Sequence, residues 1–312
     1  MIALIAIGLL AGLFFSSTFI LNRIMSLEGG HWLWSASLRY AYMITFLLAL
    51  AALFQGLSTL ARLLRLFWAN GWFWIIAGGI GFGGFYALIC FSANHAPGWV
   101  IAATWQLTII ASLVVLMGFG RRFPKKIWIF SIIVFAGVLL VNTSQGKSVG
   151  FGELLMGGLP VLVAAFCYPI GNQLVWEARN GNRALPTIDH PLLKNPFNKV
   201  LLMSLGSVPF WLVLLVWLQP PPPSSGQLIN TALVALFSGI IATSLFLLAR
   251  SKAQKPSQLA AVDATQSSEV VFAMAAECLI LKAPLPELKA IIGMALVFVG
   301  LAFFIWFQEG QG

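Results

Sequence analysis

Long unbroken apolar runs constrain this chain more than any other feature. The first, "MIALIAIGLLAGLFFSSTFI", is apolar from residue 2 and lacks a cationic leader segment, so it reads as a first span and not a cleaved signal. Nine similar runs follow, and ten spans can be drawn: roughly 2–21, 32–54, 71–91, 98–119, 127–142, 152–176, 198–218, 228–249, 257–281 and 287–307. Most approach the ~20 residues a helix needs to cross a bilayer. A barrel would show short alternating segments instead. Charged residues make up only 9% of the chain, where a soluble domain carries about 25%. The expected fold class is an all-α polytopic membrane protein with ten transmembrane helices.

The charges sit between the spans. The even-numbered loops hold thirteen of the Lys and Arg residues, among them Arg62, Arg65, Arg121, Arg122, Lys125, Lys126, Arg179, Arg183, Lys194, Lys199, Arg250, Lys252 and Lys255. The odd loops hold Arg23, Lys147, Lys282 and Lys289. Cationic loops stay in the cytoplasm, so the even loops and both termini are expected there, in a cytoplasmic (inner) membrane. The net charge of +9 is thus a topology signal, not a nucleic-acid signature. Cys90, Cys167 and Cys278 all lie inside apolar runs and read as small hydrophobes, not as a disulfide or metal framework.

The halves echo each other. "VIAATWQL" (100–107) parallels "AVDATQSS" (261–268), and "FPKKIWIFSIIVFAG" (123–137) parallels "LPELKAIIGMALVFVG" (285–300). "FILNR" (19–23) parallels "PIGNQ" (169–173). A unit of five spans is odd, so its second copy must be inverted in the membrane. The expectation is a first five-helix repeat over 1–145 and a second, inverted one over 146–312, with no separate soluble domain. Transporters recurrently place a site between inverted repeats.

Three carboxylates interrupt the ninth run, "AAVDATQSSEVVFAMAAECLI" (260–280). On a regular helix, at ~100° per residue, Asp263, Glu269 and Glu277 fall within an arc of about 120° centred near Gln266. That stripe should face a cavity or other helices, while the opposite side could meet lipid. Ser268 is the exception on that opposite side, and its hydroxyl can bond back to the helix. By depth, Asp263 lies near the even-loop side, beside Arg250 and Lys252, where local neutralisation is its expected role. Glu277, followed by Lys282, reads as an interfacial charge. Glu269 lies near mid-membrane, where ionisation costs most, which suits reversible protonation or binding of a cation.

Arg39, in "WLWSASLRYAYM", is ~10 Å deep in the second span and needs a partner. Two roles are open: a structural pair with Glu269 or Glu277, or work on a substrate. Trp99, Trp105 and Gln106 are candidate cavity walls, since tryptophan faces attract organic cations. Tyr168 and Asn172 are further candidates, with helix–helix hydrogen bonding the alternative. His95 reads as a loop histidine. Gly79 with Gly83, and Gly8 with Gly12, have the spacing that lets membrane helices approach. No nucleotide loop and no Cys/His cluster of metal spacing occurs in the sequence, so neither ATP hydrolysis nor a metal cofactor is expected. The proton gradient is the expected driving force.

The duplicated "AT" and "P…G" segments, together with "LNRIMSLEGGHWLWSASLRY" and "AVDATQSSEVVFAMAAE", resemble the drug/metabolite transporter superfamily, most of all its multidrug-resistance efflux branch. The resemblance implies a central cavity between two halves, opening alternately to each side. The chain departs from the common pattern at Glu269, where many relatives carry proline, and at "GFGRR", where the first repeat often ends in Gly-Glu. The expected function is a secondary transporter exporting small organic solutes or drugs, coupled to protons, with Glu269 competing for proton or cation and Arg39 as its switchable partner. Gln266, Trp105, Gln106 and Tyr168 would shape its pocket. The rival is an uncoupled facilitator or exchanger of a metabolite, with Arg39 holding the substrate's anion. An enzyme or scaffold has little room in loops this short. Monomer and homodimer fit equally well.

Overall fold

The computed structural model describes residues 2–144, 151–181, 185–253 and 256–309. The loop residues Lys147, Arg183 and Lys255, and the boundary expected at 145/146, lie outside them. The described residues are helical, without strands. Among the described residues, eight helices are long and apolar enough to cross a membrane. They are α1 (Ile2–Leu27), α2 (Trp32–Gln55), α4 (Gly71–Ser92), α5 (Gly98–Gly118), α6 (Ile127–Ser144), α7 (Leu155–Arg179), α8 (Pro196–Leu218) and α9 (Ser225–Lys252). The two remaining runs are also helical. The ninth is split into α10 (Pro256–Ala264) and α11 (Ser268–Ile280), and the tenth is α12 (Leu288–Glu309).

The stretch between the second and third spans is not the plain loop its charges suggest. It forms a short helix, α3 (Leu57–Ala69), which buries Thr59, Leu63 and Phe67 at i, i+4, i+8 against the bundle. Arg62, Arg65 and Trp68 face outward. Gly56, at φ 83°, makes the turn between α2 and α3 that other residues resist. An apolar stripe one turn apart thus overrides the loop reading.

The exterior is apolar, with Ile132, Val213, Val216 and Leu279 each more than 60% exposed. In water such a belt would aggregate; in lipid it is solvated. Inside, Trp74, Tyr86, Leu33 and Met203 are almost fully buried.

Irregularities fall at matching places. α4 carries a π-helical segment at Gly79–Gly84, and α9 carries one at Ala235–Ala242. α5 breaks at Gln106–Leu107, and the ninth run tightens into a 3-10 turn at Thr265–Ser267. Hydroxyls bonding back to the chain accompany both breaks. In the ninth run, Thr265 donates to Val262 O at 2.6 Å, Ser267 to Ala264 O at 2.7 Å and Ser268 to Thr265 O at 2.6 Å. In α5, Thr104 donates to Val100 O and Thr108 to Trp105 O. Contacts match as well. α6 and α12 pack antiparallel on each other, and α1 meets α9 and α11 much as α7 meets α4 and α5.

Glycine decides how close these helices come. A Cβ on Gly137 would lie 2.6 Å from Gly293 O, and one on Gly293 would lie 2.7 Å from Gly137 O. Gly8 and Gly12 likewise seat α1 against Thr265 and Ser268, at the break of the ninth run. Gly83 packs on Phe210, whereas its expected partner Gly79 has only loose contact there. Spacing points correctly to the close approach at Gly8 and Gly12, but still closer ones, which it does not mark, lie at Gly206 against Trp74 O and Gly78 against Met203 O.

Candidate functional site

The three acids of the ninth run end in three different surroundings. Asp263, on α10 ahead of the 3-10 turn, faces neither the cavity nor Glu269. It pairs with Arg250, with about a third of each side chain exposed. Glu269 points inward and is buried, at 7% exposure.

Glu269 lines a cavity of about 250 Å³ in the middle of the bundle. Arg39 lines the same cavity from α2, with Ser238 and Gly239 beside it on α9. Much of the remaining wall is aromatic, including Tyr40, Phe85, Trp105 and Tyr168. Phe85 lies 4.7 Å from Trp105 and 5.2 Å from Tyr168, ring centre to ring centre. Gln106 and Gln266 add amides, and Gln106 also donates to Ala102 O at 3.3 Å.

Arg39 finds no carboxylate. Neither of the pairs open to it, with Glu269 or with Glu277, is formed. Its guanidinium lies over the Tyr86 ring, 4.0 Å from the centroid, and Nη2 donates to Ser238 Oγ at 3.1 Å. Its Nε is buried without a partner. Among the described residues, Glu269 has no hydrogen bond and no ion pair either. A guanidinium and a carboxyl group thus face one chamber, each without an ionic partner.

A second, larger chamber of about 600 Å³ shares Phe15, Phe82, Tyr168 and Gln266 with the first. It runs toward the even loops, past Asn172, Arg179 and Lys199. Asn172 donates to Tyr168 O at 2.9 Å and so fixes the turn that carries Tyr168.

The opposite end of the bundle is tied shut. Gly98 N donates to Glu277 Oε1 at 2.7 Å, Arg23 Nη1 to Ala93 O at 2.8 Å, and Gln227 Nε2 to both His31 O and Ser35 Oγ at 2.9 Å. Glu277 is therefore not an interfacial charge; it is 2% exposed. A buried carboxylate is kept by the amides at the start of α5, whose partial positive charge it complements, and by the Arg23 charge. Its Oε2 has no partner.

Of the residues singled out in the sequence, the structure brings together Glu269, Arg39, Gln266, Gln106, Trp105 and Tyr168 in one chamber. Asn172 lies in the adjoining one. Asp263 lines neither chamber. Trp99 is a core residue at 5% exposure, because α5 turns that face onto neighbouring helices. Tyr40, Ser238 and Phe85 escaped notice. Ser238 had a signal, as a lone hydroxyl beside glycine in the apolar run "ALFSGIIA"; the aromatic residues had none among the many others. The three cysteines are free, and only Cys90 is fully buried.

The chain is similar in sequence to proteins of bacilli. It is 38% identical over 313 residues to "Uncharacterized protein YjlA" of Bacillus subtilis (strain 168), spanning 95% of this chain and 92% of that one. It is 37% identical over 276 residues to an uncharacterized 42.1 kDa protein of Shouchella clausii, spanning 84% of this chain and 69% of that one. A solved structure described only as "Crystal structure of protein" shares the fold, with a TM-score of 0.61 at 16% identity and 99% and 98% coverage. A family model matches residues 2–310 under the description "EmrE: Putative multidrug resistance efflux transporter". With its helices, its central chamber and that match from end to end, the chain is a multi-pass membrane protein that belongs to this efflux-transporter family of the drug/metabolite transporter superfamily.

Proposed function

We propose that the protein is a secondary transporter of the cytoplasmic membrane that exports a small organic solute by alternating access, driven by protons through Glu269. The observation that carries this reading is the buried Glu269 carboxylate, facing the central cavity with no partner. A carboxylate held so deep without a cation is expensive to ionise, so it exchanges a proton whenever a cationic group arrives or leaves. The wide chamber toward the even loops, with the other end closed by Glu277 and Arg23, fits a state open to the cytoplasm. Paired irregularities in α4 and α9, and in α5 and the ninth run, support two inverted five-helix units spanning the membrane ten times, with both termini inside. Family membership argues for a transporter and against an enzyme.

Proteoliposomes on a current-sensing surface test the coupling. Organic cations and amino acids, offered under an imposed pH gradient, should give a substrate-dependent signal that Glu269→Gln abolishes and Asp263→Asn retains. Equal signals in wild type and Glu269→Gln would assign the coupling elsewhere.

A second reading has one observation in its favour. Arg39 also faces the chamber without a carboxylate, which suits an uncoupled exchanger of an anionic metabolite. Counterflow indifferent to a pH gradient is its signature.

A further inference from the structure

The central chamber carries two unspent charges of opposite sign. The Arg39 guanidinium is held in place by the Tyr86 ring and Ser238, with Nε unpartnered, and is 8% exposed. Glu269 on α11 has no partner at all among the described residues. Both line the same cavity, yet no nitrogen of one comes within 4.0 Å of an oxygen of the other, so the two charges are held apart and not collapsed into a pair. Opposite charges kept apart in an apolar chamber are costly unless something completes them.

From this juxtaposition we propose that the chamber takes a zwitterion, an amino-acid-like molecule whose carboxylate meets Arg39, whose ammonium meets Glu269, and whose apolar or aromatic substituent lies among Phe85, Trp105 and Tyr168. A zwitterion gives Arg39 an anion and brings Glu269 the ammonium that makes its ionisation favourable. A simple organic cation would leave Arg39 bare and repelled, and a simple anion would do the same to Glu269. The fork of the guanidinium is a fitting receptor for a carboxylate, and the aromatic rings beside Glu269 also favour an ammonium. This inference rests on the reading of the chamber as the substrate site, but not on proton coupling.

The test measures binding to the full-length protein in detergent, by thermal shift and calorimetry, so that it needs no transport. The proteinogenic amino acids are screened first. The best binder is then compared with its amide, which lacks the carboxylate, and its N-acetyl form, which lacks the ammonium. The zwitterion should bind, and each single-charge analogue should bind about 10- to 100-fold more weakly, the worth of one charge-assisted hydrogen bond. Arg39→Gln should abolish discrimination against the amide only, and Glu269→Gln discrimination against the N-acetyl form only. Arg39→Lys, which keeps the charge should the neutral variant fold poorly, should retain the preference with weaker binding. Analogues that bind as well as the zwitterion overturn the proposal. So does an absence of binding by every amino acid up to about 1 mM, the top of the ordinary KM range. Zwitterion binding without any pH-driven current would overturn proton coupling and leave this assignment standing. A pH-driven current with organic cations but no zwitterion binding would do the reverse.

Discussion

The guanidinium of Arg39 rests 4.0 Å from the centre of the Tyr86 ring, and the hydroxyl of the same tyrosine accepts a hydrogen bond from Asn22 Nδ2 at 2.9 Å. One side chain thus supports a buried cation with its face and links α1 to α4 with its edge. A desolvated cation–π contact is worth up to about 2 kcal/mol, and a hydrogen bond between membrane helices about 0.6 kcal/mol. Tyr86→Phe should therefore cost roughly 0.6 kcal/mol of unfolding free energy in detergent. Tyr86→Leu should cost about 2 kcal/mol more, because it also strips the support from Arg39. Equal melting temperatures for the two variants would mean that the ring face contributes nothing.

Glu277 ties the start of α5 to the end of α11 through the Gly98 amide. Glu277→Gln removes the charge that complements that helix end and Arg23, so the closed end should open more often. Cys90 is buried and free, which makes it a reporter. In a background of Cys167→Ser and Cys278→Ser, Glu277→Gln should speed maleimide labelling of Cys90 several-fold. An unchanged labelling rate would show that closure does not depend on this carboxylate.

Gly137 and Gly293 face each other across α6 and α12. Alanine at either forces the helices apart, at a cost of about 1–3 kcal/mol for overpacking. Each methyl meets the carbonyl of the other glycine, so one separation relieves both clashes. The Gly137→Ala/Gly293→Ala pair should cost clearly less than the sum of the singles. Additive losses in chemical unfolding would mean that the two sites relax independently.

His31 caps α2, its Nδ1 accepting the Leu33 amide at 3.3 Å while its own carbonyl accepts from Gln227. Partial burial holds its pKa below the usual 6.5. The unfolded chain therefore binds the proton more readily, and stability declines as pH falls through about 6.5 toward the lower folded value. Protonation also removes the acceptor that the cap uses. His31→Asn keeps a capping acceptor without a titrating group, and should flatten the melting-temperature profile between pH 7 and pH 5. A wild-type profile already flat there would rule out this dependence.

The all-helical, membrane-spanning class was legible from the chain because a bilayer demands runs of fixed length, and apolar runs are countable. The resemblance of "VIAATWQL" to "AVDATQSS" pointed to the two segments that both break their helices. The candidate chamber was partly legible. Glu269, Arg39, Gln266 and Trp105 stood out as polar or aromatic residues where lipid asks for aliphatic ones. The loop between α2 and α3 was misjudged because charges at Arg62 and Arg65 masked a periodic apolar face.

What the sequence determined by itself is the class of solvent and the identity of the costly residues, since a buried charge is expensive wherever it packs. Which charge meets which was decided only by the tertiary structure. On the two sides of the 3-10 turn at Thr265–Ser267, Asp263 meets Arg250 and Glu269 meets the cavity. Glu277 reached the Gly98 amide 179 residues away along the chain. Arg39 was given a tyrosine face in place of a carboxylate. Helix periodicity assigns a direction to each side chain, but the partner it finds depends on how far neighbouring helices can close, and glycines such as Gly8, Gly12 and Gly137 set that distance.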